Sequence, residues 1–144
     1  MKKYRQLIRH SGNIDLFRAV EMSIVALSSN MPLHIHAEGL RGTGKTTIMR
    51  SVKELLPPIL RVKDCIYNCH PESPHCPEHS HLSIQEIINI GSEIVPCPFL
   101  EISHAAKIGT VVGSIDLGKL TNPLGASAAI LPGTIPQAHR GVIF

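Results

Sequence analysis

The stretch Gly39-Leu40-Arg41-Gly42-Thr43-Gly44-Lys45-Thr46-Thr47 constrains this chain most. It fits G-x-x-x-x-G-K-[ST], the phosphate-binding loop known as Walker A. Glycines reach backbone angles that side chains forbid, so the loop can wrap a polyphosphate. Its successive N–H groups then form a nest for anionic oxygens. In that reading Lys45 reaches the outer phosphates, the Thr46 hydroxyl holds a magnesium ion, and the following helix offers its positive end. Gly39, Arg41, Gly42, Thr43, Gly44, Lys45, Thr46 and Thr47 are the candidate nucleotide-binding residues.

The motif needs a strand before it and a helix after it. Leu33-His34-Ile35-His36-Ala37, behind Pro32, is the expected strand, with His34 and His36 as core or edge residues. Ile48, Met49, Val52, Leu55 and Leu56 are spaced for one helical face, and Pro57-Pro58 stops the helix.

A chain of 144 residues is one domain or less, long enough to bury a core. Apolar content of 43% with 17% charged residues fits a globular protein and not a disordered one. With no Trp, two Tyr and three Phe, stacking on nucleic acid is not expected. The net charge of +3 is mild; Lys2, Lys3, Arg5 and Arg9 read as a solvated start. No signal peptide or membrane span is read, so the expected compartment is the cytosol. There the four cysteines are thiols or metal ligands before they are disulfides.

Leu16, Val20, Ile24 and Leu27, with Phe17 alongside, predict an amphipathic helix over residues 14–28. Asn13 is its expected cap, with Glu21 on the polar side. Ile59 to Val62 reads as a second strand. Ser83-Ile84-Gln85-Glu86 is a capping box that opens a helix carrying Ile84, Ile87 and Ile88 inward and ending near Gly91. Glu93 to Ile102 reads as extended, broken by Pro96 and Pro98. Val111 to Leu117 reads as a strand or hairpin arm. Thr121 to Ala138 reads as a Gly/Pro/Ala-rich insertion, and Gly141 to Phe144 as a buried strand.

Between them, residues 64–81 are dense in Cys, His and Pro and read as an irregular excursion. Cys65-x3-Cys69-x6-Cys76-x2-His79 offers three thiols and an imidazole at compact spacing. Such donors suit tetrahedral Zn²⁺ or an iron–sulfur cluster. The same thiols can instead pack as small apolar groups in a Pro-braced loop. Cys97, between two prolines, reads as a packed thiol. Asp116 and Glu101 read as solvated or structural carboxylates, and Arg140 as one partner of a structural salt bridge.

Four separated blocks resemble the ATPase (I) subunit of magnesium chelatase and its bacterial relatives. They are Glu38 to Thr46; Tyr67-Asn68-Cys69 with Pro71; Val111 to Leu117; and Pro132-Gly133 with Ala138 to Phe144. The resemblance implies an α/β P-loop NTPase (AAA+) fold: a parallel-sheet, three-layer core, interrupted by the Cys/His loop and the Gly/Pro-rich insertion. It implies ATP and Mg²⁺, a homo-oligomeric ring or a complementing chain, and a partner with an integrin-type metal-binding domain. It also implies a strand-end Asp-Glu pair, Walker B, after the last block, with sensors, an arginine finger and a helical lid beyond. These 144 residues contain no Asp-Glu pair. The expectation is therefore a partial AAA+ nucleotide-binding domain, a truncated frame, split protein or fragment, that binds ATP and turns over little or none alone. Two alternatives stand beside it: a non-catalytic nucleotide- or metal-binding interaction module, and a remnant.

Overall fold

A computed structural model describes residues 3–29, 31–120 and 130–144. The chain divides into two compact units, Met1–Leu56 and Pro57–Phe144.

The first unit is helical. A 3₁₀ turn at Tyr4–Gln6 precedes helix α1, Ile14–Ser28. Of the periodic apolar residues, Val20 is fully buried, as is Phe17 beside them, while Leu16 and Ile24 are half-buried and Leu27 faces solvent. The buried stripe thus centres on Phe17, with the Tyr4 ring edge-on at 5.4 Å. Arg9 spans that corner, its guanidinium 4.8 Å from the Phe17 ring centre and paired with Glu21. Asn13 stands at the helix N-terminus but does not cap it. Its carboxamide turns back, accepting from His10 N–H and donating to the Ile8 carbonyl, which closes the preceding loop.

The expected strand at Leu33–Ala37 is not formed among the described residues. A strand exists through its ladder partners, and residues 31–40 find none. His34 and His36 are accordingly exposed, and His36 meets Glu38 at 3.2 Å. After the loop, α2 (Lys45–Ser51) tightens into a 3₁₀ turn, Val52–Glu54. Ile48, Ser51 and Val52 are its buried residues.

Among its described residues the second unit has three two-stranded sheets. Strand β1 (Ile59–Val62) pairs antiparallel with β2 (Ser92–Val95), placing Arg61 opposite Glu93. Between them lie residues 63–83 and helix α3, Ile84–Ile90. Ser83 and Glu86 form the capping box at its start. Only Ile87 of α3 is buried; Ile84 and Ile88 are 73% and 63% exposed, against expectation. A seven-residue helix makes two turns and here meets the core through one position.

Strand β3 (Phe99–Leu100) pairs parallel with β6 (Val142–Ile143). Gly141 makes this pairing possible, because a Cβ there would sit 2.2 Å from the Pro98 carbonyl oxygen. Helix α4 (Ile108–Val111) leads into β4 (Gly113–Ile115), so the Val111–Leu117 block is helix end and strand together. Helix α5 (Leu117–Leu120) follows, and β5 (Ile130–Pro132) returns antiparallel to β4. Of the Gly/Pro/Ala-rich stretch expected as an insertion over residues 121–138, positions 121–129 lie outside the described residues, and the rest forms β5 and a short helix instead of a loop. Helix α6, Thr134–Gln137, then leads to β6.

Candidate functional site

Two constellations stand out, one in each unit. In the first, Gly39, Gly42 and Gly44 all have positive φ, at 146°, 82° and 83°. A Cβ at Gly42 or Gly44 would meet open space, so these glycines are there for backbone angle and not to avoid a clash. The Lys45 ammonium folds back into the loop. Its Nζ donates to the carbonyls of Gly39 at 2.8 Å and Leu40 at 2.7 Å, and to Thr43 Oγ1 at 3.0 Å. Thr43 Oγ1 donates onward to the Leu40 carbonyl. Arg41, Thr46 and Thr47 are exposed. A cleft of ≈ 370 Å³ opens beside the loop, between Gly42, Thr43, Gly44 and Thr47 on one side and Leu7, Ile8, His10 and Asn13 on the other. Sequence reading missed these four residues, which lie some thirty positions upstream and carry no motif.

In the second unit, Cys65, Cys69, Cys76 and His79 converge. One donor atom from each lies within 4.8 Å of all the others, and all four residues are buried. Cys65 Sγ is 4.0 Å from Cys76 Sγ, and Cys76 Sγ is 3.0 Å from His79 Nδ1. Two turns deliver them. The first runs from Val62 to Cys69: Cys65 N–H donates to the Val62 carbonyl, Asn68 N–H to Cys65, and Val62 N–H to Cys69. Asn68 closes it from the left-handed region, at φ 52°, which Asn tolerates better than most residues. In the second, the N–H groups of His79 and Ser80 both donate to the Cys76 carbonyl.

Burial pushes the Cys65 and Cys76 thiols upward in pKa, because an isolated thiolate is poorly solvated there. Backbone N–H groups oppose this. Those of Cys69 and Tyr67 point at Cys65, and those of Glu78 and His79 at Cys76. Cys97 is apart from this group; its thiol donates to the Arg140 carbonyl at 3.6 Å, and burial raises its pKa too.

Arg140 makes no carboxylate pair among the described contacts. Its Nη1 instead donates to the carbonyls of Leu60 and Asn68. The expected salt bridge is replaced by main-chain recognition of the Cys65–Cys69 turn. His139 Nδ1 lies 3.1 Å from the Tyr67 carbonyl on the same turn, and its ring stacks edge-on with His75. Burial lowers the His139 pKa. Asp116 accepts from the Gly118 N–H, a local structural role. No helix among the described residues is long and apolar enough to cross a membrane.

No family model matches the sequence. Individual proteins do. The magnesium-chelatase subunit ChlI of Porphyra purpurea is 35% identical over 109 residues, covering 74% of this chain and 30% of its own. The magnesium-chelatase 38 kDa subunit of Acidiphilium rubrum is 32% identical over 135 residues, covering 92% of this chain and 37% of its own. The chain thus spans about a third of the length of these relatives. Among solved structures, a chain from a cryo-EM-based description of the complex between subunits BchI and BchD of magnesium chelatase superposes with a TM-score of 0.57. It is 20% identical and covers 91% of this chain and 36% of its own, which shows the AAA+ P-loop fold. Over the stretch that aligns, the chain belongs to the magnesium-chelatase I-subunit family of AAA+ ATPases.

Proposed function

We propose that Gly39–Thr47 binds the polyphosphate of ATP with Mg²⁺, as the nucleotide-binding part of a magnesium-chelatase-like AAA+ ATPase. The observation that carries this is the state of Lys45. Three loop oxygens collect its ammonium, so a cation is already held within a loop whose glycines leave space for an anion. Phosphate oxygens can take over those bonds, and a charged acceptor makes a stronger bond than a neutral carbonyl. Thr46, exposed beside it, supplies the hydroxyl for Mg²⁺. The cleft against Leu7 and Ile8 offers an apolar wall for the base.

In the intact family such a module couples ATP hydrolysis to remodelling of a partner. It does so in a homo-oligomeric ring or with a complementing chain, beside a subunit carrying an integrin-type metal-binding domain. Hydrolysis needs a positioned acid and a complete Mg²⁺ shell. These 144 residues contain no Asp-Glu pair, so by themselves they bind ATP and turn over little or none.

Calorimetric titration of the chain with Mg·ATP tests the reading. Binding that weakens about tenfold or more in Lys45→Ala supports it. Equal heats in both proteins, or turnover abolished by that change, would overturn the binding claim or the inactivity claim respectively.

A further inference from the structure

We propose that Cys65, Cys69, Cys76 and His79 hold one tetrahedral Zn²⁺, and that this ion fixes the turn on which the segment Gln137–Val142 is seated.

The size of the donor set points to a single ion. Around one zinc, with Zn–S of about 2.3 Å and Zn–N of about 2.0 Å, neighbouring donors stand roughly 3.5–3.8 Å apart. Here the Cys65–Cys76 sulfur separation is 4.0 Å, the Cys76–His79 separation is 3.0 Å, and no pair exceeds 4.8 Å. An iron–sulfur cluster distributes its thiolates over several irons and needs a wider cage. Three thiolates with one imidazole form a known structural zinc set.

Without a metal, the three thiols contribute only as small apolar groups. The buried core around them is Val62, Cys65, Cys69, Cys76 and Ile87. Three of its five side chains are thiols, and His79 is buried beside them. Beside the thiols, Val62 and Ile87 are the buried aliphatic side chains, with Tyr67 and Leu82 packed against them partly buried; to so small an apolar core a structural ion adds folding energy directly. The N–H groups aimed at Cys65 and Cys76 meet sulfurs that would carry negative charge. On binding, three S–H protons leave to solvent, three S–Zn bonds form, and His79 Nδ1 gives its lone pair. No electron is transferred.

The ion's reach follows from what rests on the first turn. Tyr67 and Asn68 lie between the ligands Cys65 and Cys69. The Tyr67 carbonyl meets His139 Nδ1, the Asn68 carbonyl accepts from Arg140, and Asn68 Nδ2 donates to the Gln137 carbonyl at 2.7 Å. All three partners immediately precede β6. Holding Cys65 and Cys69 on one ion therefore holds the surface that seats the entry to β6.

The 144-residue chain, purified without chelator, is analysed for metals by mass spectrometry and then reconstituted with Co²⁺. One zinc per chain and the absorption bands of tetrahedral thiolate-bound Co²⁺ are expected. Cys69→Ser should lose the metal and Cys97→Ser keep it. His79→Cys should also keep it, with shifted Co²⁺ bands, which guards against simple misfolding. Stripping the zinc should speed amide exchange at Val142 and Phe144 by about tenfold or more. Metal well below one equivalent with no Co²⁺ bands, iron with labile sulfide, or a Cys65–Cys76 disulfide would each overturn the site. Zinc present with exchange at Val142 unchanged would overturn the seating. Neither result depends on nucleotide, so this test is separate from that of the phosphate loop.

Discussion

Asn68 donates from Nδ2 to the Gln137 carbonyl at 2.7 Å, across 69 positions of sequence. The same carboxamide accepts from Arg61 Nη1 at 3.0 Å, and the Asn68 carbonyl accepts from Arg140. One buried residue therefore ties β1, the Cys65–Cys69 turn and the entry to β6 together.

Asn68→Ala should be costly. It removes two side-chain hydrogen bonds, leaves the Gln137 carbonyl without its donor, and puts an alanine at φ 52°. The expected loss is roughly 2–4 kcal/mol, read as a lower urea midpoint. Asn68→Asp keeps the acceptor for Arg61 and loses the donor to Gln137, so it should fall between. A midpoint within error of wild type for Asn68→Ala would sink this account.

Gly141→Ala tests the parallel pair directly. The added Cβ would overlap the Pro98 carbonyl oxygen, which accepts from Val142 N–H at 2.8 Å. The backbone must move, and the β3–β6 bonds move with it. A loss of about 1–3 kcal/mol or more is expected, with faster amide exchange at Val142 and Phe144. Retained protection at both amides would show that the strands do not need this close approach.

These features were unevenly legible in the sequence. The α1 helix followed from its period, and the Ser83–Glu86 box from local chemistry, because each is decided within a few residues. Leu33–Ala37 was misread, since a strand depends on a neighbour that local composition cannot supply. Ile84 and Ile88 were misplaced because periodicity marks a face without saying how much of it meets a core. The Cys/His set could be listed from spacing, but its convergence could not, as x3 and x6 gaps fit several chain paths. The partners of Arg140 had no sequence signal: main-chain carbonyls carry no residue identity.

The Arg61–Glu93 pair predicts an acid-side response. Glu93 Oε1 accepts from the Asp64 N–H at 3.0 Å and from Arg61 Nε and Nη2, each at 2.9 Å. The Asp64 N–H first, then Arg61, hold the Glu93 carboxyl below its ordinary range. A depressed carboxylate contributes stability that is present above its unfolded pKa, about 4.3. That contribution is lost as pH falls through the lower folded value. Wild type should therefore lose stability on acidification below about pH 4.3 more steeply than Glu93→Gln. Thermal denaturation series of both proteins from neutral pH downward would check it. Parallel curves would remove Glu93 from the acid response.

Lys45→Ala should separate stability from binding. The ammonium's acceptors, the Gly39 and Leu40 carbonyls and Thr43 Oγ1, all lie at exposed residues. Water can replace those bonds, so the melting curve should move by no more than about 0.5 kcal/mol equivalent. Nucleotide affinity should still fall about tenfold or more, because the charge facing the phosphates is gone. Gly44→Ala should show the other pattern. Its φ of 83° strains an alanine by about 1–2 kcal/mol, although a Cβ there meets nothing. Stability and affinity should then fall together. A Lys45→Ala protein that unfolds as easily as Gly44→Ala would mean that the lysine's bonds to the loop are structural.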